Sequence, residues 1–345
     1  MCKISIIIPV YNVAEYLNDV LNSILEQTFE DFEVICINDG STDNSLEILE
    51  TFTTKDHRFK VISQPNQGQG VARNNGITLA KGEYLMFVDP DDYIEKNSLE
   101  IIYNKFQETN VDVIQFDYTR IKEDGELIEP ISFSQKIKKE FKYSIKDNET
   151  YDWHDIKKRS LTGLSLTGWD KAYRTDFIKK NNIKFAPNKC GEDHIFSISA
   201  NLLAEKILYI EKSLYYYRTR KDSAVNKESV NNFCIFENIS LLKEFLISNN
   251  LYKEFEKAFI DYETSVLSWH YGNIPQDKVD EYKNKSKKLL SKKDYKVFLA
   301  KAKGDFSFLE KLFSLKNLVK NNTKIKCVTI LGLTFSIKSR RKVTV

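Results

Sequence analysis

Ile4-Ser5-Ile6-Ile7-Ile8-Pro9-Val10 stands near the start of the chain, and the next two residues, Tyr11-Asn12, are polar. A short run rich in β-branched side chains predicts a strand buried on both faces of a sheet. Asn12 can then cap a helix whose apolar stripe is Val13, Leu17, Val20, Leu21, Ile24 and Leu25. Working outward, residues 32–37 read as a second buried strand. Asp39-Gly40-Ser41-Thr42-Asp43 supplies turn and capping chemistry before a helix carrying Leu46, Leu49 and Phe52. Residues 59–62 form a third strand. The Gly- and Asn-rich stretch 66–76 leads into a short helix stopped by Gly82, and a fourth strand, 84–88, runs into Asp89-Pro90-Asp91-Asp92. Strands alternating with helices at this spacing predict an α/β fold, a doubly wound and mostly parallel sheet with right-handed crossovers. Its ligand crevice lies beyond the carboxyl ends of the strands, where Tyr11, Asn12, Asn38, Asp39 and the 89–92 acids fall.

Residues 98–125 repeat the helix-then-strand pattern, 126–160 read as a polar excursion or lid, and 160–223 return with turn signals and an aromatic strand over 214–217. The expected organisation is a catalytic domain over 1–225, a helical extension over 226–310 and a basic tail over 311–345, with a hairpin around Leu331-Gly332. The 345 residues carry a net charge of +3, yet residues 311–345 hold nine Lys/Arg and no acid. A near-neutral body with a basic end speaks against a general nucleic-acid binder and for a local anionic partner such as a membrane surface. Five scattered cysteines without zinc spacing, no signal-peptide pattern and no bilayer-length apolar run predict a cytoplasmic protein, with peripheral contact at the inner face of the membrane.

Asp89 and Asp91, at i and i+2 after a buried strand, can offer hard oxygen ligands to Mg²⁺ or Mn²⁺; helix capping by Asp91 or Asp92 is the plainer use. Asp39 can accept hydrogen bonds from a base or ribose beside a stacking Tyr11, or simply close a turn. Arg73 and Asn74 lie near a helix start that favours anions, although an arginine there is also an ordinary surface charge. Glu192 and Asp193 precede an apolar-spaced helix, as a general base or as a complement to the helix dipole. Arg218, Arg220 and Ser223 suit a diphosphate. Trp169 and Lys171 could shape an acceptor pocket, with a core Trp equally open. No G-x-G-x-x-G follows the first strand and no P-loop lysine exists, so a nucleotide-dependent oxidoreductase is disfavoured.

Taken together, Ser5-Ile6-Ile7-Ile8-Pro9-Val10-Tyr11-Asn12, Asn38-Asp39-Gly40-Ser41-Thr42-Asp43, Ala72-Arg73-Asn74 with Gly76, Phe87-Val88-Asp89-Pro90-Asp91-Asp92 and Gly191-Glu192-Asp193 resemble family 2 glycosyltransferases over roughly residues 3–225. The resemblance implies a GT-A fold, a nucleotide-sugar donor (most often UDP-linked), a divalent metal (Mn²⁺ or Mg²⁺) and inversion at the anomeric carbon. By position it implies a nucleoside pocket from Pro9, Tyr11 and Asp39, with Arg73 near the donor and Asp89 near ribose and metal. Asp91 falls at the principal metal ligand, Asp193 at the catalytic base with Glu192 beside it, and Arg220 and Ser223 at the diphosphate. Asn38 departs from the Asp that many relatives carry. The acceptor implied is a glycan or lipid-linked hydroxyl of surface polysaccharide synthesis; a catalytically silent sugar-nucleotide-binding scaffold is the alternative.

Overall fold

The computed structural model describes residues 2–141, 144–156, 161, 165–188, 190–219, 230–302, 313–320, 323–330 and 333–342. The chain forms two compact units, Met1–Lys227 with Cys234–Phe259, and Glu228–Phe233 with Ile260–Val345.

The first unit runs β1 (Ile4–Val10), α1 (Ala14–Leu25), β2 (Phe32–Asn38), α2 (Ser45–Lys55), β3 (Phe59–Ser63), α3 (Gln69–Leu79) and β4 (Tyr84–Phe87). It continues with β5 (Tyr93–Ile94), α4 (Ser98–Glu108), β6 (Val113–Lys122), β7 (Leu127–Ile131), α5 (Phe133–Phe141), β8 (Thr150–Tyr151) and α6 (Trp153–Ile156). The remaining elements are β9 (Lys171–Arg174), α7 (Thr175–Lys180), α8 (Asp193–Leu203), β10 (Ile207–Thr219) and α9 (Ile235–Ser248). The sheet order is β3-β2-β1-β4-β9-β6-β10-β5, with β7 on β6 and β8 on β10. Strands β3, β2, β1, β4, β6 and β10 share one direction, while β9 runs antiparallel between β4 and β6.

Side-chain alternation along β1 builds two cores. Ile4, Ile6, Ile8 and Val10 join Leu17, Val20, Leu21 and Ile24 of α1 on one face, and Ile7 packs with Ile35, Leu85, Phe87 and Ala72 on the other. At an edge-of-helix position the sequence reading needs correction. Asn12 does not cap α1: it takes a left-handed backbone (φ 50°) and its Oδ1 accepts the Thr42 N–H at 2.8 Å. The first N–H groups of α1 are satisfied instead from the next loop, Val13 by Ser45 Oγ at 3.1 Å and Ala14 by Asp43 Oδ2 at 3.0 Å. The loops after β1 and β2 are thereby stitched together.

The described residues of the 126–160 stretch are also more regular than its polarity suggests. Strand β7 extends β6, and α5 starts where the Phe133 N–H meets the buried Asp117 carboxylate at 2.8 Å, with Phe133 and Ile137 in the core. The second unit holds the later part of α10 (Tyr252–Tyr271), then α11 (Val279–Leu289) and α12 (Lys292–Ala302). Tyr282 is fully buried there, its hydroxyl donating to the Leu267 carbonyl at 3.1 Å. Strands β11 (Phe313–Lys320), β12 (Thr323–Ile330) and β13 (Leu333–Lys342) pair antiparallel in sequence order; Leu331-Gly332, the expected hairpin turn, lies outside the described residues. No helix among the described residues is long and apolar enough to cross a membrane.

Candidate active site

Helix α3 connects the rim. The loop that leads into it is held by Asp39: Oδ1 accepts from Gln67 N at 2.9 Å and Gln64 Nε2 at 2.8 Å, and Oδ2 from Gly68 N at 2.8 Å. Asp39 is 2% exposed. It therefore organises the 64–68 loop, while Tyr11, just after β1, is 48% exposed. Pro9 lies buried within β1, paired with Ile37.

One turn into α3 comes Arg73, which is no surface charge. It is buried, and its guanidinium donates to Glu192 Oε1 at 2.9 Å and Asp89 Oδ1 at 2.7 Å over the face of Phe185. Burial opposes its charge, but Asp89, Glu192 and Asp193 together outweigh that and hold it protonated. On the same helix, Asn74 both donates to and accepts from the Phe185 backbone, at 2.9 and 3.0 Å. Gly70 makes the close approach possible, since a Cβ there would stand 2.3 Å from the Ala186 carbonyl oxygen. Gly70, Arg73 and Asn74 thus fasten the 185–192 segment, and with it the start of α8, to the end of β4.

The acids do not share one environment. Glu192 is buried, and burial with the neighbouring Asp193 charge raises its pKa despite Arg73. Asp193, half-buried as the first residue of α8, is raised to about 6, chiefly by burial and by Asp89, with Arg73 and Lys171 opposing. Asp92 is raised well above the carboxylate range by burial, Asp91 and Asp89. It turns inward, accepting the Tyr215 O–H at 2.8 Å and the Arg218 N–H at 2.8 Å. Asp89 and Asp91 are only partly buried.

Among the described residues, no cluster of three or more His, Cys, Asp or Glu side chains could hold a metal. Two carboxylates, Asp89 and Asp91, do suit Mg²⁺ or Mn²⁺, which commonly takes one or two protein carboxylates and completes its shell with phosphate and water. The donor set therefore fits a cation that arrives with a diphosphate.

Three expected residues serve the interior instead. Lys171 opens β9 and is 1% exposed; its ammonium donates to Asp170 Oδ1, the Thr167 carbonyl and the Ser165 carbonyl at 2.7, 2.9 and 3.1 Å. All three of its donors are engaged, so it cannot reach an acceptor sugar. Trp169 is a core ring, stacked on Tyr215 and Tyr217 at 4.6 and 5.4 Å. Arg218 is buried, and its guanidinium donates to Asp19 and to the Glu123 carbonyl, while only its backbone N–H reaches the rim, at Asp92. Arg220 and Ser223 lie outside the described residues. Tyr215 was not singled out from sequence; the aromatic strand was visible, but nothing local marks which hydroxyl meets the 89–92 turn.

The sheet order is that of a GT-A fold. The fold matches that of S. aureus TarS 1–349, crystallised in complex with UDP-GlcNAc, with a TM-score of 0.59 over 94% of this chain and 96% of that one, at 22% identity. Residues 5–161 match the model of Glycosyl transferase family 2. Glycosyltransferase GlyG of Streptococcus pneumoniae is 33% identical over 228 residues, covering 65% of this chain and 73% of that protein. Glycosyltransferase GlyA of the same species is 36% identical over 226 residues, 64% of this chain, but the chain spans only 31% of GlyA. The chain belongs to glycosyltransferase family 2 and is a transferase.

Proposed function

We propose that this enzyme moves a sugar from a nucleotide diphosphate donor, UDP-linked, to a hydroxyl of a glycan or lipid-linked acceptor in surface polysaccharide synthesis, with inversion. The observation that carries the reading is the bridge from Arg73 to Asp89 and Glu192, which places the end of β4 beside the start of α8. The UDP-GlcNAc complex of TarS supports the choice of donor.

In this mechanism the bond from C1 of the sugar to the donor phosphate breaks as the acceptor oxygen forms its bond to C1 from the opposite face. Asp193 takes the acceptor hydroxyl proton, for which a pKa near 6 is well placed. Glu192, held by Arg73, fixes the backbone from which Asp193 projects. Tyr11 stacks on the base at the end of β1, and Asp39 shapes the adjoining loop. Arg220 and Ser223, which follow β10 in the sequence, contact the diphosphate. A divalent ion held by Asp89 and Asp91 would supply positive charge to the departing nucleotide.

The basic 311–345 tail holds the enzyme at an anionic leaflet. Deleting 311–345 is then expected to abolish co-sedimentation with anionic liposomes; retention would dispose of the tail's role. The donor is tested by thermal stabilisation against a panel of nucleotides with Mn²⁺, followed by UDP release in the presence of acceptor extracts. UDP and one UDP-sugar should stabilise the protein and be turned over. Stabilisation by UDP-sugars without transfer or hydrolysis would favour a silent scaffold, and no response to any uridine nucleotide would overturn the donor assignment.

A further inference from the structure

The Asp89-Pro90-Asp91-Asp92 turn is held from below by one side chain on a distant strand. Tyr215 of β10 is fully buried, and its phenol oxygen accepts the Asp89 N–H at 3.0 Å while its O–H donates to Asp92 Oδ2 at 2.8 Å. A phenol has one proton and two lone pairs, so one hydroxyl can satisfy both groups at once. The turn is also closed on itself by the Asp92 N–H, which donates to the Asp89 carbonyl at 3.1 Å. The ring cannot swing freely: Trp169 stacks on it at 4.6 Å with 20° between planes, and Trp169 also stacks with Tyr217 at 5.4 Å and 9°. The Arg218 N–H holds the second oxygen of Asp92 at 2.8 Å. The result is a turn whose last acid is fastened inward, while its first and third residues, Asp89 and Asp91, stay partly exposed, Asp89 with one oxygen on Arg73.

We propose that Tyr215 is a positioning residue for the cation-binding turn, its hydroxyl fixing the backbone of Asp89 and the orientation of Asp92 so that Asp89 and Asp91 are offered together to a divalent ion. The role rests on the assignment of that ion to Asp89 and Asp91. Hydrogen bonds behind ligating carboxylates set ligand orientation, and losing one commonly weakens metal affinity about 10- to 100-fold. Trp169, which the sequence leaves open between an acceptor pocket and the core, takes the core part: it stacks on the Tyr215 ring and so holds the plane that keeps both hydrogen bonds.

The test is Mn²⁺ affinity in the presence of saturating UDP, followed by electron paramagnetic resonance of free Mn²⁺, on the full chain. Tyr215→Phe keeps the ring and the stack and removes only the hydroxyl; it is expected to weaken Mn²⁺ about 10- to 100-fold. Tyr217→Phe, which removes a neighbouring hydroxyl on the same strand, is expected to bind Mn²⁺ as the wild type does. Asp92→Ala, which removes the acceptor of the Tyr215 O–H, carries the same expectation as Tyr215→Phe and serves should that variant fold poorly. A lowered melting temperature with unchanged Mn²⁺ affinity in Tyr215→Phe and Asp92→Ala would reduce Tyr215 to a structural residue and overturn the role. Failure of the wild type itself to bind Mn²⁺ with UDP would overturn the metal assignment at Asp89 and Asp91, and the role of Tyr215 with it.

Discussion

Buried carboxylates occur at both ends of the sheet, and they are treated in opposite ways. At the amino ends of the strands, Glu33 accepts from Ser5 Oγ at 2.7 Å, Lys60 Nζ at 2.6 Å and Lys81 N at 2.7 Å. Burial would raise its pKa, but these donors outweigh burial and hold it below the usual carboxylate range. At the carboxyl ends, one guanidinium, Arg73, lies among Asp89, Glu192 and Asp193, and the pKa values of Glu192 and Asp193 go up. A saturated acid stabilises the fold and has no use for a proton. An under-compensated acid is ready to take one, which is what transfer to a hydroxyl requires.

The contrast is most severely tested by removing the base. Asp193→Asn should lower kcat by about 10²- to 10⁴-fold while UDP affinity by calorimetry stays near wild type. Near wild-type turnover would show that the raised acid at the start of α8 is not the base. Lys171→Met comes next. It strands the buried Asp170 carboxylate and should cost about 3–5 kcal/mol in denaturant unfolding. A stable variant with altered acceptor choice would instead restore Lys171 to the acceptor pocket. Glu33→Gln, at the saturated end, should cost about 1–3 kcal/mol and leave kcat/KM unchanged; loss of activity at full stability would erase the distinction between the two ends. Gly70→Ala is expected to cost a comparable amount, since the added methyl meets the Ala186 carbonyl and pushes it and Glu192 from α3. It should cost about 1–3 kcal/mol, with kcat reduced more than donor affinity.

Much of the first unit was legible because its signals are local. Short apolar runs ending in Tyr11-Asn12, Asn38-Asp39 and Asp89 mark parallel strands and the rim they share, and the helical spacing of Leu17, Val20, Leu21 and Ile24 is the face that α1 buries. What stayed hidden depends on partners far away in the chain. Arg73 reads as a surface or donor-facing charge until Glu192, 119 residues on, is seen beside it. Lys171 reads as an acceptor residue because nothing local announces β9, a four-residue strand inserted antiparallel between β4 and β6. Asn12 looks like a cap, since its type suits one, yet the cap is delivered from Asp43 and Ser45 across a loop crossing. Tyr215 is one of four consecutive residues in an apolar-aromatic run, and only the three-dimensional register selects it.

The most direct measurement is the pH dependence of kcat/KM for the wild-type enzyme at saturating Mn²⁺. Asp193 must be ionised to accept the proton, so the rate should fall tenfold per pH unit below an inflection near 6, the value to which burial raises this group, and should level off above it. The same acidic limb should vanish from the residual activity of Asp193→Asn. A wild-type profile flat from pH 5 to 8, on a protein that stays folded throughout (all about ambient conditions), or a limb that survives in Asp193→Asn, would contradict the assignment of the proton to Asp193.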